Sequence, residues 1–384
     1  MPAVKPKRVS NYELFFDLVF VLAISNLTRI LHRSSFVLQD LLVYIAAFIG
    51  ILSVWFFTTF YMNKFARIDR NDVYGIIALM FIVGQMAINM TVEPTTQVFL
   101  IYQILYALAY GTILILYVLN GRRYGFDKDM PYNMKLLAGV VLFHAVHVIL
   151  VLLGWMQMSR LVFLYPLLPL FLLISTRPKN LRRPNFPHMV ERCQLITIIS
   201  FGEMVIALIR NYPLQHFFLE SLIFFFGMAF LFIMYISQTF LNMDHHQNAN
   251  AQKLVYSHIT LLMGINLITI ALEKFPEHLN QLAIIYFIVG LVLYYLSLLS
   301  NSAYNKDEFQ ISQRQYLTYL AILAVFLLLI WIFQKQLILI ALLFAGLTYS
   351  MAHVGYLYRQ AARRRLEAQE KARESNETPS SKKD

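Results

Sequence analysis

Two carboxyl groups lie in an otherwise apolar segment, ELFFDLVFVLAIS, which runs from Glu13 to Ser25. Glu13 and Asp17 are four residues apart, so on a helix they share one face, with Asp17 about 6 Å further along the axis. An acid inside a bilayer costs roughly 2.5–3.5 kcal/mol on insertion scales, and such residues often mark ion or proton pathways. A helix-capping box with Ser10 is the alternative for Glu13. A fixed ion pair with Arg192 or a similar loop cation is the alternative for Asp17.

A third acid, Glu203, lies inside the apolar run 191–210, about 10 Å from the end of a helix over that run. A carboxyl group at this depth suits a proton-coupled site, and a neutral Glu that hydrogen-bonds a neighbouring helix is the alternative. Gly202 beside it predicts that another helix backbone approaches closely. His258 is the remaining candidate for an ion or proton site, either in a relay with Asp17 and Glu203 or as a hydrogen-bonded packing residue.

The sequence contains no Ser-His-Asp order, phosphate-binding loop, dinucleotide turn or His-Glu-x-x-His motif. We therefore predict no catalytic residue, no cofactor and no metal site. An intramembrane enzyme acting on lipid stays open as an alternative, and it requires Asp17, Glu203 and His258 to converge.

Composition identifies the environment of these residues. Of 384 residues, 59% are hydrophobic and 14% are charged, whereas soluble domains carry about 25% charged residues. Mean hydropathy is +0.58. This composition predicts an all-α, polytopic membrane protein.

Apolar runs of about 20 residues, the length that spans a bilayer, recur along the chain. They predict about twelve spans, at 13–31, 40–61, 73–91, 97–119, 135–153, 159–176, 191–210, 217–241, 254–272, 279–300, 316–333 and 336–358.

The basic residues alternate between the two sides of these spans. Of 32 Lys and Arg residues, 26 fall on the side that holds both termini and six on the other. This asymmetry predicts cytoplasmic N- and C-termini, and it accounts for the net charge of +11 without nucleic acid. The tail from Arg359 predicts a helix extension whose Arg residues contact anionic lipid headgroups, followed by a polar, disordered end.

The two halves of the chain resemble each other. TTFYMN before the third span answers QTFLNM before the ninth, and Thr59, Tyr74, Thr239 and Tyr256 keep the same order. Six spans per half give both copies one orientation, so we predict a parallel repeat about an axis along the membrane normal. The predicted segments are the N-terminus 1–12, the first repeat 13–176, a connector 177–190, the second repeat 191–358 and the tail 359–384.

Several motifs together resemble the low-temperature-requirement protein A (LtrA) family of bacterial membrane proteins. They are ELFFDLVFVLAI at 13–24, Trp55 with YMNKF at 61–65, HMVERCQLITIISFGEMVIAL at 188–208 and YSHITLLMGINLITIALE at 256–273. The resemblance implies a multi-pass protein of the bacterial inner membrane that is linked to growth in the cold, and it supplies no reaction. It also singles out four motif residues of uncertain role, Glu191, Arg192, Tyr256 and Glu273.

We expect a transporter or channel for a small ion or solute. Under the repeat, Asp17 corresponds to Leu195 and Glu203 to Ser25, which argues against a symmetric pore and for a coupled transporter. A lipid-modifying enzyme and a non-catalytic membrane factor needed in the cold are the alternatives. The expected partners are the bilayer, anionic headgroups and the solute, and the sequence leaves a homo-oligomer open.

Overall fold

The chain folds into a bundle of helices. A computed structural model describes residues 6–31, 38–89, 95–155, 182–277 and 279–377. These residues form α1 Asn11–Asn26, α2 Leu38–Lys64, α3 Arg70–Asn89, α4 Thr96–Tyr124, α5 Met130–Leu152, α6 Phe186–Asn211, α7 Leu214–Ile236, α8 Gln252–Lys274, α9 Gln281–Ser300, α10 Gln313–Ile332 and α11 Leu337–Glu377. A 3₁₀ turn, Leu27–Leu31, extends α1, and a π-helical turn, Ser237–Asn242, extends α7.

Within the described ranges, eleven helical stretches are long and apolar enough to cross a membrane. They match eleven of the twelve predicted spans, and the predicted sixth span, 159–176, lies outside the described residues. Large apolar side chains cover the outward faces, as on Phe81, Leu142 and Ile209. Lipid tolerates such a surface and water does not, so the chain is a multi-pass membrane protein.

Local sequence sets where several helices begin. Ser10 and Glu13 form the predicted capping box, in which each side chain satisfies a backbone N–H of the first turn. Asn185 accepts a hydrogen bond from His188 N and so caps α6, with a proline in the first turn. These two caps fix the ends of the helices that carry the acids Glu13, Asp17 and Glu203.

The two halves of the chain meet along α1 and α6. Asp17 contacts Arg192, and eight residues further along α1, Ser25 lies beside Glu203. Contacts that advance in the same direction on both helices show that α1 and α6 run parallel. In the first half α1 packs on α3 and α3 on α4, and in the second half α6 packs on α8 and α8 on α9.

Helix α8 is the most buried of these helices, and it touches α9 closely. A Cβ atom on Gly264 would lie 2.8 Å from Gly290 O, and one on Gly290 would lie 2.8 Å from Gly264 O. Because real Cβ atoms do not approach a backbone that closely, both positions need glycine.

One local expectation is confirmed and one is wrong. The tail extends α11 as a helix to Glu377, because its Ala, Arg, Glu and Gln residues have high helix propensity, and residues 378–384 lie outside the described residues. Gly202 is exposed on α6, and no atom of the described chain would lie within 4 Å of a Cβ placed there. It therefore makes no close helix contact within the described residues.

Candidate functional site

A buried ion-pair network joins the start of α1 to α6. The Arg192 guanidinium donates from Nη1 to Glu13 Oε1 at 3.0 Å, from Nε to Asp17 Oδ2 at 2.9 Å and from Nη2 to Asp17 Oδ1 at 2.6 Å. The three side chains are 0–1% exposed. Charge-assisted bonds of this kind are the strong ones, and in a dry interior they also remove the cost of isolated charges.

Two further side chains complete this network. Trp55 of α2 donates from Nε1 to Asp17 Oδ1 at 2.6 Å, and His188 Nε2 lies 3.1 Å from Glu13 Oε1. We call Glu13, Asp17, Trp55, His188 and Arg192 the charge cluster. It ties α1, α2 and α6 together at one end of the bundle.

Polar groups around the charge cluster fix its edges. Asn63 Nδ2 lies 3.0 Å from His188 Nδ1 and also donates to Asn185 O at 2.9 Å. Lys7 Nζ donates to the backbone carbonyls of Met62 and, at 3.0 Å, of Ala66, which closes the C-terminal end of α2. Burial lowers the pKa of Lys7 below its ordinary value. The N-terminal segment is thus fastened to α2 as well as to α6.

The geometry of the charge cluster distinguishes between the alternatives considered for Glu13 and Asp17. Glu13 is both the helix cap that the sequence predicts and an ion-pair partner of Arg192. Both oxygens of Asp17 are occupied by Arg192 and Trp55, so the fixed ion pair considered for Asp17 is the one observed. The charge cluster holds α1, α2 and α6 together, and each carboxylate oxygen of Glu13 and Asp17 accepts at least one hydrogen bond within or beside it.

Glu203 lies in a different place, about 17 Å further along α6 than Arg192. Its side chain is half-buried and faces a cavity of about 20 Å³ between α1, α6 and α8. The polar residues around this Glu203 cavity are Ser25 of α1, Ser200 of α6, and Asn266 and Thr269 of α8. A cavity of this size has room for about one water molecule.

The sequence profile of the family described as Bacterial low temperature requirement A protein (LtrA) matches residues 8–352. The chain belongs to the LtrA family. No curated protein and no solved structure matches the chain significantly. The resemblance inferred from the motifs is therefore confirmed, and the structure shows where those motifs meet: the first supplies Glu13 and Asp17, the second Trp55, and the third His188 and Arg192.

His258, from the fourth LtrA motif, is buried elsewhere. Its Nδ1 lies 2.7 Å from Leu254 O on the same helix, and its Nε2 lies 3.2 Å from the Tyr235 hydroxyl. In the described structure none of these hydrogen bonds reaches Asp17 or Glu203, so the three predicted relay residues stand in three separate contacts. The packing interpretation of His258 is the one the geometry favours.

The other LtrA motif residues of uncertain role have unequal surroundings. Glu191 is exposed on α6, next to the fully buried Arg192. Tyr256 is half-buried, and its ring stacks on Phe56 of α2 at 5.6 Å between centroids. Glu273 is half-buried near the end of α8. Of the four, the structure ties Arg192 to the charge cluster.

The sequence did not reveal Trp55 and His188 as partners of the acids, or Asn63 as a partner of His188. All three stand inside the quoted motifs, so the motifs signalled them without giving a role. No group of three or more His, Cys, Asp or Glu in the described ranges could hold a metal ion. Among the cavities of the described structure, the Glu203 cavity is bordered by a carboxyl group inside a membrane span.

Proposed function

We propose that this LtrA protein transports or conducts a small ion or solute, and that Glu203 is its central binding group. The observation that carries the proposal is the position of the Glu203 cavity. An acid lies in the interior of a membrane span, beside four polar side chains from three helices, where the first helices of both halves meet. A bundle needs no acid at such a place for packing alone, because each costs several kcal/mol to insert.

Asp17 takes a different part in this proposal from the one that the sequence predicts. Its charge is compensated by Arg192 and its oxygens are bonded, so we assign it to holding α1 and α6 in register. Glu203 lies beside the Ser25 hydroxyl, is influenced by the charge of Glu273 and borders a cavity, so it is the acid that we assign to exchanging a ligand.

The predicted repeat and topology belong to the same proposal. The parallel course of α1 and α6, and the matching order of helix contacts in each half, agree with two six-helix repeats in one orientation. The basic residues near the charge cluster, together with the tail from Arg359, favour the cytoplasmic side of a bacterial inner membrane for that end. There the tail would lie on anionic headgroups.

An intramembrane enzyme finds less support. It requires Asp17, Glu203 and His258 within hydrogen-bond reach of one another, and each has its own separate partners. A non-catalytic membrane factor is the function that remains if no flux is found.

Flux into proteoliposomes tests the proposal. The full chain is reconstituted, and uptake of radioactive sodium and rubidium is measured beside proton entry reported by a pH-sensitive dye. We expect flux of at least one of these ions above that of empty liposomes, and its loss in Glu203→Gln.

Glu191→Gln is the matched control, because it removes an exposed carboxylate from the same helix, and we expect it to retain flux. Absence of flux of all three ions, or equal flux in Glu203→Gln and the unmodified protein, would overturn the proposal.

A further inference from the structure

Two hydroxyl groups around the Glu203 cavity have their hydrogen-bond donors engaged by their own helices. The Ser200 hydroxyl donates to Ile196 O at 2.9 Å, and the Thr269 hydroxyl donates to Ile265 O at 2.9 Å. Each hydroxyl oxygen therefore keeps its lone pairs for a ligand, since its proton is already used by its own helix.

Asn266 and Ser25 are the remaining two neutral groups. Asn266 Nδ2 uses one of its two N–H groups to donate to Ile24 O at 3.0 Å, and Asn266 Oδ1 is the accepting end of that amide. The Ser25 hydroxyl lies beside the Glu203 carboxyl group, and when that group is ionised it can only accept, so Ser25 is then the donor. The lining thus presents acceptor oxygens from three helices toward one small space.

A cavity lined by oxygen acceptors favours cations. Hydroxyl, amide and carboxylate oxygens are hard ligands, which suit hard metal ions better than the softer transition metals. A neutral solute with donors of its own would also need room, and about 20 Å³ admits nothing larger than roughly a water molecule.

The charge of the site sets the charge of the ion. Glu203 is the acid among the polar residues that border the cavity, and Glu273 acts on it electrostatically from outside that lining. The one carboxylate in the lining neutralises a monovalent cation, whereas a divalent cation would depend on the more distant Glu273 for the rest of its compensation, in a span where uncompensated charge is costly.

We propose that the Glu203 cavity binds one monovalent metal cation of about the size of sodium, stripped of most of its water, with Ser25, Ser200, Asn266 and Thr269 as neutral oxygen ligands. This deepens the proposed function by naming the class of ion, and it rests on the same site. The cation would replace the water shell with oxygens from α1, α6 and α8, so its binding also joins those three helices.

Equilibrium binding to the detergent-solubilised full chain tests this without requiring transport. Radioactive sodium binding and the thermal unfolding midpoint are measured in sodium, potassium, magnesium and N-methylglucamine chlorides at one ionic strength. We expect one sodium per chain and a midpoint higher in sodium than in N-methylglucamine. Magnesium should not compete at equal concentration.

Two variants locate the ion. Glu203→Gln should abolish sodium binding, and Thr269→Val, which keeps the side-chain shape and removes one oxygen, should weaken it at least about tenfold, the equivalent of 1.4 kcal/mol. Glu191→Gln should bind as the unmodified protein does. If Glu203→Gln does not fold, as judged by size-exclusion chromatography, Thr269→Val decides.

Equal midpoints in sodium and N-methylglucamine, unchanged binding in Thr269→Val, or stronger binding of magnesium would overturn the cation site. These results are distinguishable from failure of the proposed function. A protein whose Glu203-dependent flux is carried by protons alone would show flux in liposomes and no sodium-dependent change in detergent.

Discussion

Arg192→Met is the most direct test of how the bundle is held together. Methionine matches much of the length of arginine but cannot donate the three hydrogen bonds that Arg192 makes to Glu13 and Asp17. Two carboxylates that are 0–1% exposed would then share a dry site without the guanidinium. Removing one partner of a buried ion pair costs about 3–5 kcal/mol, and we expect a loss of that size in the free energy of unfolding.

A double-mutant cycle separates the ion pair from general packing. Asp17→Asn keeps an oxygen that can accept from Trp55 but lacks the negative charge, so Arg192→Met should cost less in its presence. Residues in direct contact typically couple by about 0.5–3 kcal/mol, and we expect the upper part of that range because Asp17 receives two of the three bonds.

Unfolding is followed by circular dichroism as mixed micelles are enriched in a denaturing detergent. Arg210→Met is the control, since Arg210 is an exposed arginine on the same helix and should change stability by no more than about 0.5 kcal/mol. A loss below about 1 kcal/mol for Arg192→Met, or simple additivity with Asp17→Asn, would refute the assignment of the charge cluster as a structural tie.

Two further predictions concern the contact between α8 and α9 and the turn before α3. Gly264→Ala should lower the free energy of unfolding by about 2 kcal/mol or more, because its Cβ would meet Gly290 O at 2.8 Å. The control Gly139→Ala, with open space around it in the described structure, should be neutral or stabilise by up to about 1 kcal/mol. Equal effects of the two variants in detergent unfolding would contradict this. Although burial acts to raise the pKa of Asp69, hydrogen bonds to its carboxylate and the Arg123 charge hold that pKa below its ordinary value. The ionised form therefore stabilises the fold above the unfolded pKa of about 3.9, and this stabilisation is lost as pH falls through the lower folded pKa. The stability difference between the unmodified protein and Asp69→Asn should shrink below about pH 4, and a constant difference between about pH 3 and 6 would contradict the assignment.

Most of the helices could be predicted from hydropathy and helix-capping motifs. Eleven spans and the Ser10–Glu13 capping box follow from local sequence, because membrane length and backbone satisfaction are local requirements. The extension of α11 into the tail is likewise a local property, because the residues of 359–377 are good helix formers.

Helix neighbours were harder to predict than helices. Arg192 is 175 residues from Asp17, and periodicity does not say which helix an inward face meets. The proposed repeat makes Ser25 and Glu203 equivalent positions, which does not predict that they touch, and the structure places these two residues side by side. The repeat gave no hint of Trp55, since indole–carboxylate pairing depends on the rotation of α2 about its own axis.

The charge cluster also limits how this protein can move. Arg192 of α6 bonds to two residues one turn apart on α1, Glu13 and Asp17. Trp55 of α2 bonds to Asp17 as well. Sliding or rotating α1 past α6 would separate both acids from Arg192, so the charge cluster opposes relative movement of these two helices. Helix α8, the third wall of the Glu203 cavity, is joined to α1 by a neutral hydrogen bond from Asn266 and packs closely on α9 through Gly264 and Gly290. The contact between α1 and α6 is therefore held by charges, and the contact that Asn266 makes between α8 and α1 is not.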